Sequence, residues 1–173
     1  EENTIVMFTT DHGEMAGSHK LIAKTTFYEE SSKIPVIIRY PKEIKQSITN
    51  RDALVSTIDI MPTLLDLAGV EIPKGLDGRS FKKQIFEPEV ISKEFDVVYS
   101  QNQFGRMVRY DQFKYVRSVV YGKTYEILFN IENDPNESTN LINDPRFDDK
   151  LVKGRKLLDD WLKTEKTKLI EQR

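Results

Sequence analysis

Asp11-His12-Gly13 follows an apolar run, Thr4-Ile5-Val6-Met7-Phe8-Thr9-Thr10. His19 lies eight residues beyond Asp11, and Lys24 lies thirteen beyond it. A carboxylate, two imidazoles and an ammonium thus fall within fourteen residues, in a stretch that also holds Gly13 and Gly17. Carboxylate oxygen and neutral imidazole are both donors to a divalent cation. An ammonium a short loop away can hold an anion against that cation and stabilise charge that develops during reaction. The set amounts to half of a site for hydrolysing a charged ester, and the other half is not legible in this chain. Plainer readings exist for each residue. Asp-His-Gly also makes an ordinary turn, in which the aspartate bonds its own backbone. A loop histidine is often only hydrogen-bonded, and most lysines are surface charge. Both histidines of the chain nevertheless fall in this one window.

The elements that must position these groups can be read from periodicity. Residues 4–10 read as a strand covered on both faces of a sheet that is at least partly parallel. Ligands of open α/β sheets gather beyond the carboxyl ends of such strands. Residues 11–33 read as a polar loop with a short helix near 24–30, and 35–40 as a second strand stopped by Pro41. Ser56 and Thr57 are cap candidates for a helix that turns Ile60, Leu64, Leu67 and Ala68 inward and stops at Gly69. A further short helix is expected over 80–86. The second half changes character. Residues 97–99, 106–110, 113–120 and 125–130 read as four antiparallel strands, with Asp111-Gln112 as a two-residue hairpin joint. In that sheet Met107, Val108, Tyr110, Phe113, Tyr115 and Val116 are expected to pack, and the basic residues to take a wet face. From about Asp148 a helix presents Leu151, Leu157, Leu158, Trp161 and Leu162 on one side. The fold class expected is α/β. Residues 1–90 form the α/β portion, and 91–173 form a small four-stranded antiparallel sheet with a C-terminal helix.

The bulk composition narrows the classes. The 173 residues are 38% hydrophobic and 31% charged, with a formal net charge of −2. No bulk field draws the chain to nucleic acid or to anionic lipid, and nucleic acid is not an expected partner. The absence of cysteine removes disulfides, thiolate metal sites and a cysteine nucleophile. No apolar run approaches the ~20 residues that span a bilayer. The chain opens on Glu1-Glu2-Asn3 and drops almost at once into a strand, so its start reads as a cut.

Four separated blocks resemble one family. The first is 9–24, Thr9-Thr10-Asp11-His12-Gly13-Glu14-Met15-Ala16-Gly17-Ser18-His19-Lys20-Leu21-Ile22-Ala23-Lys24, continued by Tyr28-Glu29-Glu30-Ser31 and Ile34-Pro35. The second is 59–69, with Leu76-Asp77-Gly78-Arg79-Ser80 after it. The third is Arg106-Met107-Val108-Arg109 with Lys114-Tyr115, and the fourth runs from Leu128-Phe129-Asn130 through Asp134-Pro135-Asn136-Glu137 to Asn140-Leu141. In this order they resemble the C-terminal portion of the type I, formylglycine-dependent sulfatases of the alkaline phosphatase superfamily.

The resemblance implies an alkaline-phosphatase-like sulfatase fold, with 1–90 the end of the catalytic domain and 91–173 the C-terminal subdomain. It implies that Asp11 and His12 are metal ligands, normally for Ca2+, with Asn in place of His12 in many members. Lys24 is implied to contact the sulfate group, and His19 to contact substrate or donate a proton. The joint at 101–104 is implied to help choose the alcohol part of the substrate. The formylglycine nucleophile motif, the paired aspartates and the other upstream basic residues have no counterpart here. The intact parent is expected to be a sulfuric ester hydrolase, and this chain alone to be inactive. A phosphonate monoester hydrolase or phosphodiesterase of the same superfamily, and a non-catalytic module, are the competing readings. The expected partner is a sulfate ester, with a sulfated glycan as the class the resemblance suggests. The exposed cut surface is expected to favour self-association. A periplasmic or secreted location is what the resemblance suggests.

Overall fold

A computed structural model describes residues 1–44, 47–88 and 95–171, with side chains of the last helix described to residue 164. The chain forms two compact units, Glu1–Lys24 with Glu30–Asp96, and Thr25–Glu29 with Val97–Arg173. The boundary expected at 90 lies outside the described residues. Among the described residues no helix is long and apolar enough to cross a membrane.

The first unit holds β1 (Val6–Phe8) and β2 (Ile37–Arg39), which pair antiparallel with Phe8 opposite Ile37 and Val6 opposite Arg39. This differs from the parallel, doubly covered strand expected from the apolar run. Only alternate side chains are sheltered: Val6, Phe8 and Ile37 are 49%, 61% and 61% exposed. A continuous apolar run shows that both rows are apolar, and it cannot show what covers each row. The short helix α1 (Glu29–Ser32) starts later than the sequence suggests. A 3-10 turn, Thr57–Asp59, leads into α2 (Ile60–Leu67). Asp59 organises this entry. Its carboxylate accepts from the N–H of Ser56 at 2.8 Å and of Arg79 at 2.9 Å. Thr63 donates to the Asp59 carbonyl at 2.6 Å and accepts from Phe81 N–H at 3.0 Å, which seats α3 (Lys82–Phe86). Pro62 is buried in the first turn, where its missing N–H costs nothing, whereas Met61 and Ala68 face outward.

The second unit is a meander, β3 (Val97–Gln101), β4 (Gly105–Tyr110), β5 (Phe113–Val120) and β6 (Lys123–Asn130), in that spatial order and antiparallel throughout. Asp111-Gln112 does make a two-residue joint, with Asp111 at φ 46°. The helix α4 (Asp148–Glu171) covers one face. Leu151 and Leu158 enter a core with Val108, Tyr110, Phe113, Tyr115 and Leu128, and Trp161 stacks on Tyr99 at 5.0 Å. The other face carries Phe27, Met107 and Val116, so the sheet has no wet face at its centre. Lys114, expected on that wet face, is 1% exposed.

Two features of α4 yield predictions. At Gly154 a Cβ would meet the Tyr110 hydroxyl at 2.7 Å and the Tyr115 Cβ at 2.9 Å. Alanine is the better helix former by about 1 kcal/mol. Gly154→Ala should nonetheless destabilise by roughly 1–3 kcal/mol, because Tyr110 is fully buried and its hydroxyl is held by the Lys150 carbonyl. Urea unfolding of the two proteins checks this. Arg155 grips Glu126 through both oxygens, at 2.8 and 2.7 Å, and this pairing holds the Glu126 carboxyl below its usual value. A carboxyl lowered in the fold stabilises above its unfolded pKa, and that stabilisation fades as pH falls through the lowered value. The stability difference between the native chain and Arg155→Ala should therefore shrink between neutral pH and pH ~3, as measured by thermal melts.

Candidate active site

The loop after β1 folds back on itself. The Met15 N–H donates to the Ala23 carbonyl at 2.9 Å, and the Gly17 N–H to Leu21 at 2.8 Å. These bonds return the chain, so that Lys24 arrives beside His12. Gly13 is required for a different reason. Its N–H donates to the Ser31 carbonyl at 2.9 Å, and any Cβ there would run into the Glu30 carbonyl oxygen.

Three of the four candidates come together. Lys24 Nζ is 2.5 Å from His12 Nε2, and Asp11 Oδ2 is 3.4 Å from the same nitrogen. His12 Nδ1 lies 2.8 Å from the Gly13 carbonyl. That contact assigns the Nδ1–H tautomer, so Nε2 keeps its lone pair for a cation. Here Lys24 donates to that lone pair. Asp11 also accepts from the His12 N–H at 3.0 Å and from the Thr10 hydroxyl at 3.3 Å. The turn reading of Asp-His-Gly thus holds alongside the convergence of Asp11, His12 and Lys24. Partial desolvation pushes the Asp11 carboxyl up. Backbone N–H groups, the neighbouring imidazole and the Thr10 hydroxyl outweigh it, and the net direction is below the usual value.

His19 takes a different neighbour. Its Nε2 lies 3.9 Å from Glu30 Oε1, the same oxygen that accepts from the Ser18 hydroxyl at 2.6 Å. Glu30 had no assigned role in the sequence, because the Gly13–Ser31 approach that delivers it is non-local. Backbone strain concentrates in this loop. Ala16, His19, Lys20, Ala23 and Thr25 all have positive φ, from 48° to 88°. Each costs about 1–3 kcal/mol, and such residues persist where surrounding contacts over-determine them.

The donor set suits a hard cation as far as it goes. Asp11 supplies oxygen and His12 an aimed lone pair, both on one side of the loop. Among the described residues no cluster of three or more His, Cys, Asp or Glu forms around them. The two fit as part of a ligand set.

Fold and comparisons together define the C-terminal part of a sulfatase of the alkaline phosphatase superfamily, an α/β fold ending in a four-stranded antiparallel sheet and a helix. Residues 17–164 match the family described as N-sulphoglucosamine sulphohydrolase, C-terminal, and the chain belongs to that family. It is 38% identical over 168 residues to the uncharacterized sulfatase YidJ of Escherichia coli K12, covering 93% of this chain and 32% of that protein. It is 36% identical over 177 residues to a Delta 4,5-hexuronate-2-O-sulfatase of Bacteroides thetaiotaomicron, covering 95% and 36%. Among solved structures, a 2-O GAG sulfatase superposes with a TM-score of 0.82 at 35% identity, over 95% of this chain and 37% of that one. The chain spans about a third of the length of these relatives.

The tautomer is open to direct measurement. Nitrogen-15 NMR of His12 at mildly alkaline pH should show a protonated Nδ1 and an unprotonated Nε2. The same pattern should survive in Lys24→Met, since the Gly13 carbonyl sets it.

Proposed function

We propose that this chain carries the metal-and-sulfate half of an active site that hydrolyses sulfate esters to alcohol and sulfate. The supporting observation is the convergence of Asp11, His12 and Lys24 on one point, at 3.4 and 2.5 Å from His12 Nε2. In this reading Asp11 and His12 are two ligands of a calcium ion. When bound, that cation supplies Lewis-acid polarisation of the sulfate group. Lys24 turns its ammonium from His12 to a sulfate oxygen and offsets negative charge that grows in the transition state. His19, with Ser18 and Glu30 behind it, lines the pocket on the substrate side and donates a proton or a hydrogen bond. The nucleophile, a formylglycine, belongs to further polypeptide of the intact enzyme. The names of the hexuronate and GAG sulfatases support a sulfated glycan as the substrate class.

The test uses the intact enzyme containing this sequence. Lys24→Ala should lower kcat/KM on a sulfated disaccharide by about a hundredfold or more. Chelation should abolish activity and calcium should restore it. His12→Asn keeps a donor and should retain calcium-dependent activity, whereas His12→Leu should lose it. Wild-type turnover in Lys24→Ala, or chelator-resistant activity, would sink the reading.

A further inference from the structure

A buried ion cluster in the second unit has no part in the chemistry above. Lys114 is the second residue of β5, with Nζ 2.5 Å from Glu29 Oε1 and 2.8 Å from Glu137 Oε1. The ammonium also donates to the Phe27 carbonyl at 2.8 Å. The other oxygen of Glu137 accepts from the Glu29 N–H at 2.6 Å. At the start of the same short segment, Asn102 Nδ2 donates to the Thr25 carbonyl at 2.9 Å. Residues 25–29 are therefore held at their beginning, middle and end. These polar partners come from β5, the β3–β4 joint and the turn at Glu137. Glu137 itself sits at φ 49°, a further strained residue.

Burying an ammonium and a carboxylate, with a second carboxylate partly buried beside them, gains little stability over a well-packed apolar cluster, and what it does give is a defined geometry. The segment it pins is continuous in sequence with two residues of the candidate loop. Lys24 is the residue before Thr25, and Glu30 is the residue after Glu29. Lys24 is flanked by Ala23 at φ 65° and Thr25 at φ 88°, and a β-branched residue keeps such a φ only under restraint.

We propose that Lys114, Glu29 and Glu137 are positioning residues: by pinning 25–29 they hold Thr25 in its strained conformation, and so fix the direction in which the chain presents Lys24. The proposal rests on the reading of Lys24 as the sulfate contact. Lys114→Met keeps the length and removes the ammonium that both carboxylates contact, while the electrostatic pull of Arg109 on both remains. Burial already pushes Glu137 up against the pull of Lys114, so loss of the cation favours detachment of the segment.

The test pairs two measurements. In the present chain, hydrogen exchange of amides 25–29 should quicken by at least about tenfold in Lys114→Met and in the milder Glu29→Gln, with α4 amides unaffected. In the intact enzyme, the same two variants should raise the inhibition constant for inorganic sulfate by about tenfold. Leu158→Ala loosens the core on the opposite face of the same sheet and serves as the stability control; it should leave sulfate inhibition unchanged. Unaltered exchange at 25–29 in Glu29→Gln overturns the proposal. So does faster exchange without weaker sulfate inhibition, or an equal weakening in Leu158→Ala. Lys24→Met separates the two claims: if it leaves sulfate inhibition unchanged, the sulfate role of Lys24 fails first and the positioning role falls with it.

Discussion

A lysine shut away from water must be neutralised where it stands, and around Lys114 the second unit is organised to do so. One carboxylate comes from the irregular segment at 25–29, at the start of α1, and the other from the turn after β6. The sheet face that receives them carries Arg109 opposite Lys114, and beside them Met107 and Val116 with Phe27 packed against these two. An unpaired charge there would cost several kcal/mol. The cluster therefore forms completely or is avoided, and it commits three distant stretches of sequence to one arrangement. A five-residue piece of the N-terminal half belongs to the C-terminal unit for this reason.

The loop that carries the candidate chemistry has the opposite character. It is short of regular structure and rich in left-handed residues, and its rigidity comes from backbone bonds at Met15 and Gly17 and from the close approach at Gly13. Side chains on a strained but closed loop need little reorganisation to act, which suits electrostatic work. His12 shows how finely this is set. One carbonyl, that of Gly13, decides which ring nitrogen remains free.

Much of this was legible in the sequence, for identifiable reasons. The meander, its two-residue joint and the apolar stripe of α4 follow from local periodicity and turn chemistry, and the structure has them at nearly the expected residues. Asp11, His12 and Lys24 were legible because their residue types and spacing suggest one chemistry. The pairing of β1 was not legible, since an apolar run does not say whether its neighbour is parallel or what lies over it. Lys114 was misplaced because alternation presumes one wet face, and this sheet is covered on both. Glu30 escaped because its proximity to Ser18 and His19 depends on a contact between Gly13 and Ser31 that no local pattern announces.

The bare backbone at Gly154 has a mechanical consequence. There α4 rests on the tyrosines of β4 and β5 without an intervening side chain, so the helix meets the sheet at a fulcrum rather than along an even cushion. Leu151 and Leu158 sit on either side of that point, one turn or so away. Enlarging one of them would rock the rod like a seesaw instead of lifting it, raising the far end's grip as the near end loosens.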